Sequence, residues 1–328
     1  MIALVSLLFA ASNFAAPPVR QQQPVNDTAT FAGHGTPLFM EVRGRADRAP
    51  IILYLHGGPG SALGIVAFRA YVGPALESAA LVAYLHQRGV MRSPDVADST
   101  QTIENHIADA DSAVAYLARR YPGRPIFLLG HSWGGLLATK VAAGRPAHVA
   151  GVILVSAPFD MASNERASYD ATLAWARRVH NDTAVKALSD LGAPPYQALE
   201  QQLVLSQWSS SANGGIGAHI DPARLFGRAP YTAPDSMWSV GEMRIAGAML
   251  RELEQASTID QLRGIKLPLL LIDGARDPIV PESDLRRGYA LWGGPKSEVV
   301  LAKSHHLPFV DEPDRFTRAV INFIRAKE

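Results

Sequence analysis

Apolar positions along the chain follow two alternating rhythms. Short, nearly unbroken apolar runs occur in PLFMEVRG (37–44), PIILYLHG (50–57), AALVAYL (79–85), PIFLLG (125–130) and VAGVILVSA (149–157). Their length and apolarity predict strands buried in a sheet. Between them, Ile103, Ile107, Ala110, Val114 and Leu117 recur at helical spacing and predict a helix from about Ile103 to Tyr121. A second helix of small and apolar residues, LLATKVAAG, is expected to end at Gly144. From about Phe159 to Thr258 the strand rhythm stops and the chain reads as helical, with Trp175, Trp208, Trp238 and the loop SSSANGGIGAH (209–219). It resumes with LPLLLIDG (267–274) and SEVVLAK (297–303), then a closing helix after Pro313. The alternation predicts an α/β fold with a mostly parallel twisted sheet flanked by helices. The expected organisation is a core in two parts, 31–158 and 259–328, with residues 159–258 inserted as a helical cap before the late strands. No internal repeat is visible.

The run 125–130 leads directly into GHSWGG (130–135) and then into a helix. G-x-S-x-G is a weak signal alone, but a strand, a tight turn and a helix are what a nucleophile elbow requires. Ser132 is therefore the expected nucleophile. The bland reading is a small polar residue in a glycine-rich turn. An activated serine needs a base and a carboxylate that orients it, in the chain order Ser, Asp or Glu, His. The loop in LPLLLIDGARDPIVP offers Asp277, with Asp273 still in the strand as the weaker alternative that caps a local turn. LAKSHHLPFVDEP offers two adjacent histidines, which cannot both face the serine from one loop. His306, seven residues before Pro313, is preferred as base, and His305 is expected to shape the turn. HGGPG (56–60) after the strand IILYL is the expected oxyanion loop, with His56 holding it by hydrogen bonding. Gly58 would give one backbone N–H, since Pro59 has none, and Trp133 after the nucleophile would give the other.

Composition changes this picture only at its edges. With 48% apolar residues the chain can bury a large core, and its net charge of +1 gives no electrostatic reason to expect nucleic acid. The absence of cysteine excludes disulfides, thiolate metal sites and a cysteine nucleophile. No metal-ligand spacing occurs and no cofactor motif follows HGGPG, so no metal and no cofactor are expected. The expected partner is a small-molecule or peptide substrate, and the oligomeric state is left open. Residues 2–11 form an apolar run of signal-peptide length, too short to span a bilayer and lacking a positive leading segment. Two readings stand for residues 1–16: a cleaved leader that exports the protein, or a frayed start on a cytoplasmic one. The polar, proline-bearing residues 17–30 would be a linker.

The pieces GTPLFMEVRG, HGGPGS, QRGVMRSP, TIENHIADA, LLGHSWGG, GARDPIVP and SHHLPFVDEPDRF resemble the α/β-hydrolases of the proline iminopeptidase type, over about residues 31 to 328. The resemblance implies the same nucleophile, acid and base, and a helical cap. It also implies that cap glutamates hold a substrate's free α-amino group. The comparable segment here, SVGEMRIAGAML, carries Glu242, without the aromatic and asparagine neighbours expected beside it. His86 stands where the family has an aspartate before QRG. The expected activity is a serine hydrolase acting through an acyl-enzyme on a small amide or ester, as an aminopeptidase. The alternatives are a carboxylesterase or lactonase without amine recognition, and a non-catalytic binding protein of the same fold.

Overall fold

The computed structural model describes residues 23–45, 47–214, 220–226 and 236–326, without the side chains of 222, 226 and 236–242. The leader expected over residues 1–16 lies outside the described residues. Eight strands form one sheet: β1 Val25–Ala32, β2 Pro37–Gly44, β3 Ile51–Leu55, β4 Leu81–His86, β5 Ile126–His131, β6 Val149–Val155, β7 Leu269–Gly274 and β8 Lys296–Leu301. Their order is β1-β2-β4-β3-β5-β6-β7-β8. β1 and β2 pair antiparallel, as do β2 and β4, and every later pairing is parallel. The strands β3, β4 and β5 are buried at every position. That burial explains why they read as continuous apolar runs rather than alternating ones.

The helices α1 (Ala62–Glu77), α2 (Ile103–Arg120) and α3 (Trp133–Ala143) connect successive parallel strands. α1 packs with α10 (Pro308–Asp311) and α11 (Pro313–Arg325), while α2 packs with α3. Between β6 and β7 stand α4 (Met161–Arg178), α5 (Asp182–Leu191), α6 (Leu199–Ala212), α7 (Pro222–Phe226) and α8 (Ser236–Glu254). The chain leaves and returns at one neck, where Thr258 N donates to Phe159 O at 2.8 Å and Met161 N to Ala256 O at 2.9 Å. Above the neck, α4–α6 bury their own cluster of Tyr169, Ala176, Leu188, Tyr196 and Leu205, with Trp175 and Trp208 packed on it. α9 (Glu282–Leu291) follows β7.

Among the elements that depart from the sequence reading are β1 and α1. β1 begins at Val25, inside the stretch 17–30 expected as a linker. It is an edge strand whose exposure alternates with only Phe31 fully covered, so backbone pairing with β2 holds it rather than apolar burial. α1 was not anticipated, because it contains Gly64, Gly73 and Pro74 and is buried on most sides, which leaves no single apolar stripe to read.

One buried ion pair ties three segments of the core together. Arg88, on the loop after β4, is 1% exposed. Its Nε donates to Asp109 Oδ2 on α2 at 2.8 Å, and its Nη atoms donate to the carbonyls of Thr100 (3.0 Å) and His34 (2.9 Å). Asp109 Oδ1 in turn accepts from His34 N at 2.8 Å. Removing one member strands the other charge, so Arg88→Met should cost about 3–5 kcal/mol in urea unfolding. A loss below about 1 kcal/mol would show that the pair does not hold the loop.

Candidate active site

The loops at the carboxyl ends of β3, β5, β7 and β8 converge on one cleft, the usual location for a site in a parallel sheet. Ser132 sits between β5 and α3 with φ 53° and ψ −124°, a conformation non-glycine residues seldom hold. Its backbone N–H donates to Val155 O on β6 at 2.9 Å, and its carbonyl accepts from Gly135 N at 2.8 Å. The turn closes because Gly134 carries no side chain. A Cβ there would lie 2.0 Å from the carbonyl oxygen of Leu55, at the end of β3.

Asp277 and His306 come together in the loops after β7 and β8. His306 Nδ1 stands 2.8 Å from Asp277 Oδ2, and both side chains are buried. The other oxygen, Oδ1, accepts from Ile279 N at 2.8 Å and Val280 N at 3.0 Å, so the carboxylate is held from both sides. With Nδ1 donating to Asp277, the free ring atom is Nε2, the one able to accept a proton. Ser132 and His306 line the same cleft. Among the described residues Ser132 Oγ makes no hydrogen bond, and such contacts often tighten only with substrate bound. The His306 backbone is fixed by Asn213 Oδ1, which accepts from its N–H at 3.0 Å, and by His131 Nε2, which donates to its carbonyl at 2.8 Å. Burial, with His306 beside it, pushes His131 down to about 3, so His131 is a neutral donor.

The neighbouring residues take separate roles. His305 turns to Asp311, whose Oδ2 accepts from its backbone N–H at 2.7 Å. His56 donates from Nδ1 to the Gly57 carbonyl at 2.9 Å, and burial lowers it to about 4. His86 is buried under the loop, with Nδ1 accepting from Arg92 N at 3.2 Å. Gly58 holds φ +113°, open to glycine and few others, and lines the cleft with Gly57 and Pro59. The Gly58 and Trp133 N–H groups donate to no protein acceptor among the described residues. Asp273 does not cap a turn as the sequence suggested: neither of its buried carboxyl oxygens has a hydrogen-bond partner among the described residues.

The cleft encloses about 430 Å³ between the sheet loops and the inserted helices. Leu63, Met161, Leu199, Leu203 and Ile279 supply apolar walls. Two carboxylates also face it, Glu165 on α4 and Glu254 on α8. Gln202 Nε2 donates to Glu254 Oε1 at 3.3 Å. Burial, and then the charge of Glu254, raises Glu165 to about 7. Neither is marked in the sequence: Glu165 lies in a stretch that reads only as helical, and Glu242 is the carboxylate that the resemblance singles out in α8. The Glu242 side chain lies outside the described residues, while Arg244 beyond it pairs with Asp98 at 2.7 Å and with Asp95. A shallower surface depression of about 510 Å³, lined by Arg48, Arg120, Tyr121 and Arg124, contains none of these groups.

Comparison with known proteins agrees with this architecture. Residues 50–313 match the model of the alpha/beta hydrolase fold family, and the chain belongs to that family. It is 23% identical over 303 residues to the probable aminopeptidase YbaC of Bacillus subtilis (strain 168), covering 88% of this chain and 93% of that one. It is 31% identical over 293 residues to the putative carbamate hydrolase RutD of Variovorax paradoxus (strain S110), covering 88% and 96%. The crystal structure of a proline iminopeptidase from Mycobacterium smegmatis superposes with a TM-score of 0.67 at 18% identity, over 92% of this chain and 98% of that one. The protein is thus a hydrolase with both peptidase and esterase-like relatives. No helix among the described residues is long and apolar enough to cross a membrane.

Asp273 yields a stability prediction. Burial, then the nearby charges of Glu298, Asp277 and Glu282, raise it to about 8. The folded state therefore keeps a proton that the unfolded chain loses near pH 4. Folding stability from this group is fully present below about pH 4 and falls by about 1.4 kcal/mol per pH unit until about pH 8. Asp273→Asn should stabilise the protein at pH 8 and leave it nearly unchanged at pH 4, by denaturant unfolding at both values. An equal effect at both would show that Asp273 is not held neutral.

Proposed function

We propose that this protein is a serine hydrolase with Ser132 as nucleophile, His306 as base and Asp277 as the carboxylate that orients it. The observation that carries the reading is the 2.8 Å His306–Asp277 contact in the same cleft as a serine held at positive φ. Ser132 Oγ attacks the substrate carbonyl while its proton passes to His306 Nε2, and Asp277 stabilises the imidazolium that forms. The N–H groups of Gly58 and Trp133 receive the developing oxyanion, each worth about 2.7–4 kcal/mol. His306 then returns the proton to the departing amine or alcohol, which leaves an ester on Ser132. Water, deprotonated by His306, cleaves that ester and restores the serine. The helices α4–α8 act as a cap that walls the cleft.

The substrate we infer is a small amide or ester of an amino acid with a free ammonium group, which makes the enzyme an aminopeptidase. A cation buried beside the scissile bond needs a carboxylate, and Glu165 and Glu254 supply two on opposite helices of the cap. At neutral pH Glu165, raised to about 7, is divided between its charged and neutral forms. Ammonium recognition should strengthen as pH rises through that value, because the charged form of a carboxyl lies above its pKa.

Three comparisons test the reading. Ser132→Ala should lower kcat by about 10⁶ with the fold intact, whereas activity above a few per cent of wild type would exclude it as nucleophile. His306→Ala should match that loss and His305→Ala should be far milder, and the reverse ranking would move the base. Glu165→Gln and Glu254→Gln should each lose about 2–5 kcal/mol of transition-state binding on an aminoacyl arylamide and little on a neutral p-nitrophenyl ester. Equal losses on both substrates would favour the carboxylesterase.

A further inference from the structure

The geometry points to Gln87 as a positioning residue that holds the two halves of the oxyanion hole in register. This inference rests on the proposed roles of Ser132, Gly58 and Trp133. Gln87 directly follows β4, is 2% exposed and does not line the cleft. Its side chain lies between the two segments that carry the donors. Nε2 donates to the carbonyl of His56 at 3.0 Å, two residues before Gly58. Oε1 accepts from the indole Nε1 of Trp133 at 3.0 Å. Its backbone N–H adds a longer contact to His56 Nε2 at 3.4 Å, the ring whose other nitrogen holds the Gly57 carbonyl.

The chemistry of the two partners dictates an amide. An indole N–H can only donate and a peptide carbonyl can only accept. The residue between them must accept at one end and donate at the other, in a buried place where a failed hydrogen bond is costly. A carboxylate would face the His56 carbonyl with a second acceptor, and an aliphatic side chain would orphan both partners. The two segments also touch directly, since a Cβ on Gly134 would meet the His56 carbonyl oxygen at 2.5 Å. Steric contact sets how close they come, and the Gln87 amide sets their alignment. An oxyanion hole depends on that alignment, because its donors must be in place before charge develops.

The test uses the full chain, p-nitrophenyl butyrate as substrate and phenylboronic acid as a reversible tetrahedral mimic of the transition state. Gln87→Leu should lower kcat by about 10–100-fold with KM nearly unchanged, and weaken phenylboronic acid by a similar factor. Trp133→Phe should lose part of the same effect, and the double variant should be no worse than Gln87→Leu alone. Gln87→Glu in its neutral form can donate to His56 and accept from Trp133. It should therefore exceed Gln87→Leu at low pH and lose that advantage as the acid ionises. Unchanged kcat in a folded Gln87→Leu protein, a loss confined to KM, or unchanged boronate affinity would overturn the inference. So would a lower melting temperature as the sole effect. If Gln87→Leu fails to fold, Trp133→Phe and the pH profile of Gln87→Glu decide the matter by the same criteria. Full activity in Ser132→Ala would instead remove the underlying hydrolase reading, so the two failures are distinguishable.

Discussion

An L-residue at φ 53° and ψ −124° leaves that conformation unless its surroundings impose it, and Ser132 is held there from three sides. Pairing with β6 fixes its N–H, the first turn of α3 fixes its carbonyl, and Gly134 lets that turn press against the end of β3. The strain, of the order of 1–3 kcal/mol, is offset by the buried β3–β5–β6 sheet beneath it. In return the side chain is aimed into the cleft and backbone N–H groups at the start of α3 stay open toward it. The loops carrying Gly58, Asp277 and His306 reach the same cleft because β3, β7 and β8 run parallel to β5 and end on the same side.

The inserted helices add polarity to this frame as well as cover. Asn213, at the end of α6, fixes the His306 backbone, so the insertion supports the proposed base as well as walling the cleft. Glu165 and Glu254 place two carboxyl groups in a cleft whose other lining is apolar or neutral polar apart from His131 and His306. Charge in such surroundings is costly without a partner, and the raised Glu165 reflects that cost. A substrate ammonium would relieve it. Asp277 is satisfied by two backbone N–H groups and a histidine, whereas burial and the neighbouring Glu254 act against the charged form of Glu165.

The frame was legible in the chain because buried parallel strands and a glycine-flanked serine leave local signatures. Seven of the eight strands could be read as apolar runs, and chain order and loop position already pointed to Asp277 and His306, whose side chains pair. β1 was hidden by its polar alternation, and α1 by burial on most of its faces, which erases the stripe that marks a helix. Glu165 and Glu254 were invisible for a different reason. Each is an ordinary glutamate on a helix, and only the packing of the inserted helices brings both to the cleft that Ser132 lines. Gln87 belonged to a recognisable motif, but its two partners lie 31 and 46 positions away along the chain, beyond any local pattern.

The proposed mechanism requires that Ser132 form a covalent intermediate through His306. The most direct measurement is the intact mass of the protein after reaction with a fluorophosphonate, followed by peptide mapping. The expected result is a single phosphonyl adduct on the peptide that contains Ser132, formed quickly in the wild type and barely at all in His306→Ala. No adduct, an adduct on another residue, or equal labelling of both proteins would contradict it.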